Sequence, residues 1–100
     1  MAHQNFTKED GLLRFSLNGY KVTFSRPSLN TASALVEIGS SSFTIGCTIS
    51  QISFHWDELD NESFIMFGFG ATLTGFNWFD TQVICDYFSI PHHLALPEAN

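Results

Sequence analysis

The sequence predicts an all-β protein, an antiparallel β-sandwich or partly open barrel of about eight short strands. Three observations lead there. Apolar and polar residues alternate in run after run, clusters of Gly, Asn, Ser and Pro punctuate the runs at near-regular intervals, and no stretch keeps a long helical period. The chain has 100 residues, enough for one domain with one core over 1–100, ending in an irregular tail from about 91 to 100.

The hairpin "LLRFSLNGYKVTFS" is the clearest local signal. Asn18-Gly19 suits a two-residue turn because both central residues need positive φ. That turn sets Leu17 against Tyr20, Phe15 against Val22 and Leu13 against Phe24, and it matches Ser16 with Lys21 and Arg14 with Thr23. Every cross-strand pair then agrees in polarity. The "SALVEI" and "SFTIGCTI" runs follow as strands joined by "GSSS", although "PSLNTASALVEI" also admits a short helical start with Leu29, Ala32 and Val36 on one face.

After Ile49 the apolar phase slips from odd to even positions, giving Ile52, Phe54 and Trp56. A slip of one residue reverses the inward face, so a bulge or break is required near Ser50-Gln51, where the chain crosses between sheets. "SFIMFGF" is apolar on both faces and reads as a central strand or one that meets a partner. "ATLTGF" alternates again, "NWFD" reads as a connection, and "QVICDYFSI" reads as a last strand stopped by Pro91.

Charge is segregated. All four bases, Lys8, Arg14, Lys21 and Arg26, precede Pro27, while eight of the ten acids follow it. Residues 27–100 therefore carry minus eight, and the first 26, with four bases and two acids, carry plus two. Such a field repels nucleic acid and anionic lipid and attracts cationic proteins. Neither nucleic acid nor membrane is expected as a partner, since binding DNA would forgo the counterion-release contribution. The polar start "MAHQNFTKED" has no apolar run of a signal segment, which points to the cytoplasm. Residues 63–79 are uncharged but interrupted by Gly, Thr and Asn, and fall short of the roughly 20 apolar residues of a helical span. Cys47 and Cys85 read as buried free thiols.

The stretch "FHWDELDNESF" places Asp57, Glu58, Asp60 and Glu62 within six residues without a base beside them. As a calcium loop counted from Asp57 it fails at Leu59 and Glu62, where an oxygen ligand and a glycine belong. A catalytic carboxylate pair needs one acid in an apolar pocket, and crowded acids in a polar turn are simply solvated. The four histidines lack zinc-site spacing, His55 belongs on an outer face, and there is no nucleophile elbow or phosphate cradle. No cofactor, metal or enzymatic activity is expected.

Trp56 precedes the acids, and Trp78, Phe79 and Asp80 form the predicted connection. The bland reading is that these rings plug the ends of a small sandwich and the acids keep a loop solvated. The functional reading makes Trp56, Asp57, Glu58, Asp60, Glu62, Trp78, Phe79 and Asp80 one partner-binding surface, with aromatic anchors inside an acidic rim. That reading requires segments 56–62 and 78–80 to approach each other.

A small acidic β-rich chain of this kind resembles the immunity proteins that bacteria make against their own contact-dependent or polymorphic toxins. The segment "ATLTGFNWFDTQVICDYFSI" looks like the closing strands of some β-rich immunity families. The resemblance implies an inhibitor that occludes the basic active-site cleft of a cognate toxin nuclease. A phage-encoded inhibitor of a host defence complex shares these features, and a carbohydrate-binding module with exposed tryptophans is a further alternative.

Overall fold

The structure, a computed structural model, describes residues 4–17, 19–68 and 70–97. Five antiparallel strands lie side by side in chain order: β1 (Thr7–Glu9), β2 (Leu12–Leu17), β3 (Tyr20–Ser28), β4 (Thr31–Ile38) and β5 (Ser41–Thr48). A second antiparallel sheet follows with β6 (Ile52–Asp57), β7 (Glu62–Phe67) and β8 (Ala71–Phe76). The α-helix α1 (Trp78–Phe88) ends the ordered succession, followed by a 3-10 turn at His92–Leu94. Among the described residues the protein is all-β in architecture, a two-sheet, sandwich-like fold with one short helix.

The first hairpin has the register that polarity matching dictates, Leu13↔Phe24, Phe15↔Val22 and Leu17↔Tyr20. Asn18 itself lies outside the described residues. Alternation then carries Leu13, Phe15, Val22, Phe24, Ala32, Ala34 and Val36 to one buried face of the large sheet. Pro27 is tolerated within β3 because it sits at a register shift between Ser25 and Ser28, beyond the part paired with β2. Segment 31–38 is a strand throughout and not the helical start that its leucine and alanine spacing also allowed.

The phase slip is resolved by one turn of 3-10 helix, Ile49–Gln51, which carries the chain from β5 to β6. The Thr48 amide donates to Gln51 Oε1 at 3.0 Å, and the Ile49 amide reaches back to Asn30 O at 2.8 Å. Ile52, Ile65, Phe67, Leu73 and Phe76 consequently point at the first sheet. Phe15 meets Phe76 edge-on at 5.8 Å, and Phe24 meets Phe67 at 5.3 Å between centroids. Burial of such a side chain contributes roughly 1.5–3 kcal/mol.

Two expectations fail at the C-terminal end. "NWFD" is not a connection and "QVICDYFSI" is not a strand; together they form α1. The β-branched Thr81, Val83 and Ile84 imitate a strand, but Asn77 and Asp80 form a capping box that starts a helix. The helix closes one side of the sandwich: Ile84 and Phe88 are fully buried, and the Phe88 ring lies 5.4 Å from Phe24 and 6.2 Å from Phe67. Tyr87 shares its hydroxyl proton between Gly11 O (2.6 Å) and Phe24 O (3.1 Å). Arg26 binds Tyr87 O, Ser89 Oγ and Leu29 O, so a guanidinium from β3 meets the negative end of the helix. The eighth strand is therefore β1 near the N-terminus.

The tail is also more ordered than its composition suggests. Ala95 is buried, and the amides of Leu94, Ala95 and Leu96 bond to Pro91 O and His92 O. Residues 98–100 of the expected tail lie outside the described residues.

Candidate functional site

β6 and β7 form a hairpin whose Asp57↔Glu62 pair faces like charge with like charge. Such a pair opposes folding, so the turn must be stabilised otherwise. Asp57 Oδ1 accepts the amide of Leu59 at 2.9 Å and that of Asp60 at 3.4 Å, an Asx-type arrangement, and Asn61 takes φ 53° to return the chain to β7. Asp57 thus builds the turn as well as charging it. Glu58 and Asp60 are exposed and Glu62 half-buried. Among the described residues none of the four carboxylates is ion-paired, the one acid–base contact being His92 Nε2 to Asp86 Oδ1 at 2.7 Å.

At the tip of this turn stands Leu59, 97% exposed. An apolar side chain wholly in water within a ring of acids is the feature sequence reading missed; its only signal was one leucine interrupting "DELDNE". Beside the turn, Asp57, Asp60, Glu62, Ser63, Phe64, Thr74 and Gly75 line a recess of about 170 Å³. That is room for roughly five or six waters, the scale of one lysine or arginine head group. Phe64, one wall of the recess, stacks on His55 at 4.8 Å and 12° on the outer face of the small sheet, and the His55 ring bonds Ser53 Oγ at 3.1 Å. The strand "SFIMFGF" is central, as expected, with Ser63, Ile65 and Phe67 buried, but its outer face, with Phe64 and Met66, is half-exposed; Phe69 lies outside the described residues.

The register Ser63↔Phe76 brings the acidic turn and the start of α1 to the same end of the small sheet. Ser63, buried beneath the turn, donates its hydroxyl to Thr81 Oγ1 at 2.9 Å, because Thr81 spends its own proton on Asn77 O at 2.9 Å. The two segments lie at the same end of the small sheet, joined through Ser63 and Thr81 just outside each, and their members divide into different roles.

Asp80 is not a surface residue. It is fully buried, its Oδ2 accepting the Asn77 amide and its Oδ1 the Gln4 amide, both at 3.0 Å, while its own amide donates to Asn77 Oδ1 at 2.8 Å. Its carboxylate caps α1 and ties down the N-terminal segment, leaving nothing to offer a partner. Trp56 is half-buried and donates its indole N–H to Ala95 O at 2.6 Å, which clamps the C-terminal segment. Trp78 is half-buried, its Nε1 enclosed without a hydrogen-bond partner, and it meets Phe79 edge-on at 5.5 Å. Phe79 is 47% exposed. The exposed members of the surface are thus Asp57, Glu58, Leu59, Asp60 and Phe79, with Glu62 at the margin.

Among the described residues no group of three or more His, Cys, Asp or Glu side chains is arranged to hold a metal, and no helix is long and apolar enough to cross a membrane. Both cysteines are free. No family model matches this chain, and neither a curated protein nor a solved structure matches it.

Proposed function

We propose that this protein is a stoichiometric inhibitor that seats its acidic hairpin in the cleft of a basic protein, most simply a cognate toxin nuclease in an immunity pair. One observation carries the reading: Leu59 projects fully into water from a turn held by Asp57, with unpaired carboxylates around it. Exposing a leucine gains nothing for the isolated fold, whereas inside a partner it gains burial while the acids meet bases. The apolar anchor is Leu59, and the tryptophans serve as braces. The recess beside Glu62 receives one basic side chain. Electrostatic attraction accelerates encounter and the apolar contact slows release.

The test is affinity capture from the native cell extract with the wild-type protein and with an Asp57→Asn/Glu58→Lys/Asp60→Lys/Glu62→Lys variant. Replacing Asp57 by asparagine keeps the turn's side-chain acceptor. A basic protein retained one to one by the first and lost by the second supports the reading; its equal retention by both overturns it. A defence-complex subunit as the captured protein favours the phage-inhibitor alternative. The carbohydrate reading calls for exposed indoles, and neither tryptophan is exposed.

A further inference from the structure

The ends of the two sheets are not protected alike. β1 is only three residues long and carries Lys8 and Glu9. β6 carries His55 and Asp57, and β8 is irregular in its pairing, has Gly75 at φ 95°, and is soon followed by α1. Charge, shortness and irregularity are the ordinary means of blunting a sheet edge. β5 has none of them. Its sequence "SSFTIGCT" is eight residues without charge or proline, and its pairing with β4 runs unbroken from Thr31↔Thr48 to Ile38↔Ser41. β5 is the last strand of its sheet, and its far side is unpaired among the described residues.

Its core-facing side is also left incomplete. A five-stranded sheet opposes a three-stranded one, so the large sheet overhangs. The turn after β7 covers part of β5: a Cβ placed on Gly70 would sit 3.6 Å from Ile45 Cγ2, and one on Gly68 3.4 Å from Cys47 Cβ. Cover stops there. Phe43 stays 49% exposed and Ile38, in the preceding strand, 45%.

We propose that the free edge of β5 pairs antiparallel with β5 of a second copy of this chain, joining two five-stranded sheets into one ten-stranded sheet about a two-fold axis. Two arguments select a second copy as the occupant. Opposed residues of an antiparallel pair share a face, so a two-fold axis sets the Phe43, Ile45 and Cys47 face beside its own kind and the Ser42, Thr44 and Thr48 face likewise. Charge selects the same occupant. The chain carries minus six, so two copies repel wherever acids meet, and β5 is an uncharged strand along which they approach without that penalty. A cationic partner finds no carboxylate in it.

The contact is modest. A strand of this length is about 27 Å long and the sheet edge about 10 Å thick, so each copy covers on the order of 270 Å² of edge. The total of about 540 Å² lies below the size of most specific interfaces, so the association rests on about eight new main-chain hydrogen bonds from alternate residues. A reversible, weak dimer follows, strengthened by salt because screening reduces the mutual repulsion. Binding of a basic partner through the hairpin has the opposite salt dependence.

The experiment is sedimentation velocity from about 5 µM to about 1 mM at low and high salt, with hydrogen exchange at both concentration limits. The wild type should shift from monomer towards dimer, and the β5 amides should gain protection at high concentration while those of β1 do not. Ser42→Lys/Thr44→Lys, at exposed outer-face positions, should remain monomeric although its net charge is nearer zero. Should that variant fold poorly, Phe43→Ser gives the same loss of dimer. A wild type that stays monomeric with fast-exchanging β5 amides, or a dimer indifferent to these variants, overturns the proposal.

Discussion

Replacing Asp80 by alanine separates this buried carboxylate from the exposed ones of the hairpin. The substitution removes the acceptor of two main-chain amides, Gln4 and Asn77, each at 3.0 Å. A donor left without a partner in a buried site costs about 1–3 kcal/mol. Both amides are part-buried, so the lower half of that range applies to each; the Asn77 bond is the reciprocal half of the capping box, whose other half, from the Asp80 main-chain amide, survives the substitution. The sum is about 3 kcal/mol, a large share of the 5–15 kcal/mol typical of a small domain. Urea denaturation followed by circular dichroism should show the midpoint falling by roughly 1–3 M with little change in slope. Asp80→Asn should recover only part of the loss, since one side of an amide presents donors to a donor. A loss below about 1 kcal/mol in Asp80→Ala would refute the reasoning and return Asp80 to the surface role that its neighbours in sequence suggest.

Other outcomes follow from the same geometry. Trp56→Phe keeps most of the ring packing but deletes the 2.6 Å bond to Ala95 O, so hydrogen exchange at Leu94, Ala95 and Leu96 should accelerate roughly fivefold, the equivalent of about 1 kcal/mol, while core amides are unchanged. Burial, with a smaller contribution from Asp86, pushes the Cys85 thiol up to about 12 from 9.0. A folded value above the unfolded one means the native state holds a proton the unfolded chain has released. Stability linked to this group is complete below about pH 9 and declines between 9 and 12, as alkaline denaturation will show. Burial raises the Tyr87 hydroxyl too, partly offset by Arg26, which adds to the same alkaline loss. Leu59→Ser should leave the unfolding free energy from urea denaturation within about 0.5 kcal/mol of the parent, the range of surface substitutions, while raising the dissociation rate from the proposed partner.

The first hairpin, the crossing at Ser50-Gln51 and the central position of "SFIMFGF" were legible because period-two alternation reports directly on which face is buried. The helix was not. Residues 80–88 are buried on more than one side, wedged between sheets, so polar residues that would reveal a 3.6-residue period are few, and the β-branched trio weighed towards strand. The one local clue was the Asn77–Asp80 spacing of a capping box, with Asp in the place usually held by Glu or Gln.

At the site, clustering of the acids could be read from spacing alone, because four carboxylates in six residues stay together in any turn. Which aromatic was free could not. Trp56 and Trp78 resemble interface anchors by type, but their exposure depends on the tail and on α1, elements far away in sequence or misassigned. Leu59 escaped notice for the converse reason: leucine is ordinarily core, and only the turn's geometry places it in water.

The most direct measurement of the central claim is the association rate of the captured basic partner, taken by stopped flow across ionic strength, for the wild type and for the quadruple variant substituted at Asp57, Glu58, Asp60 and Glu62. An anionic hairpin that steers encounter should give the wild type a rate roughly 10–100-fold higher at low salt, converging on the variant's as salt screens the field. Equal rates with equal salt slopes would contradict the account.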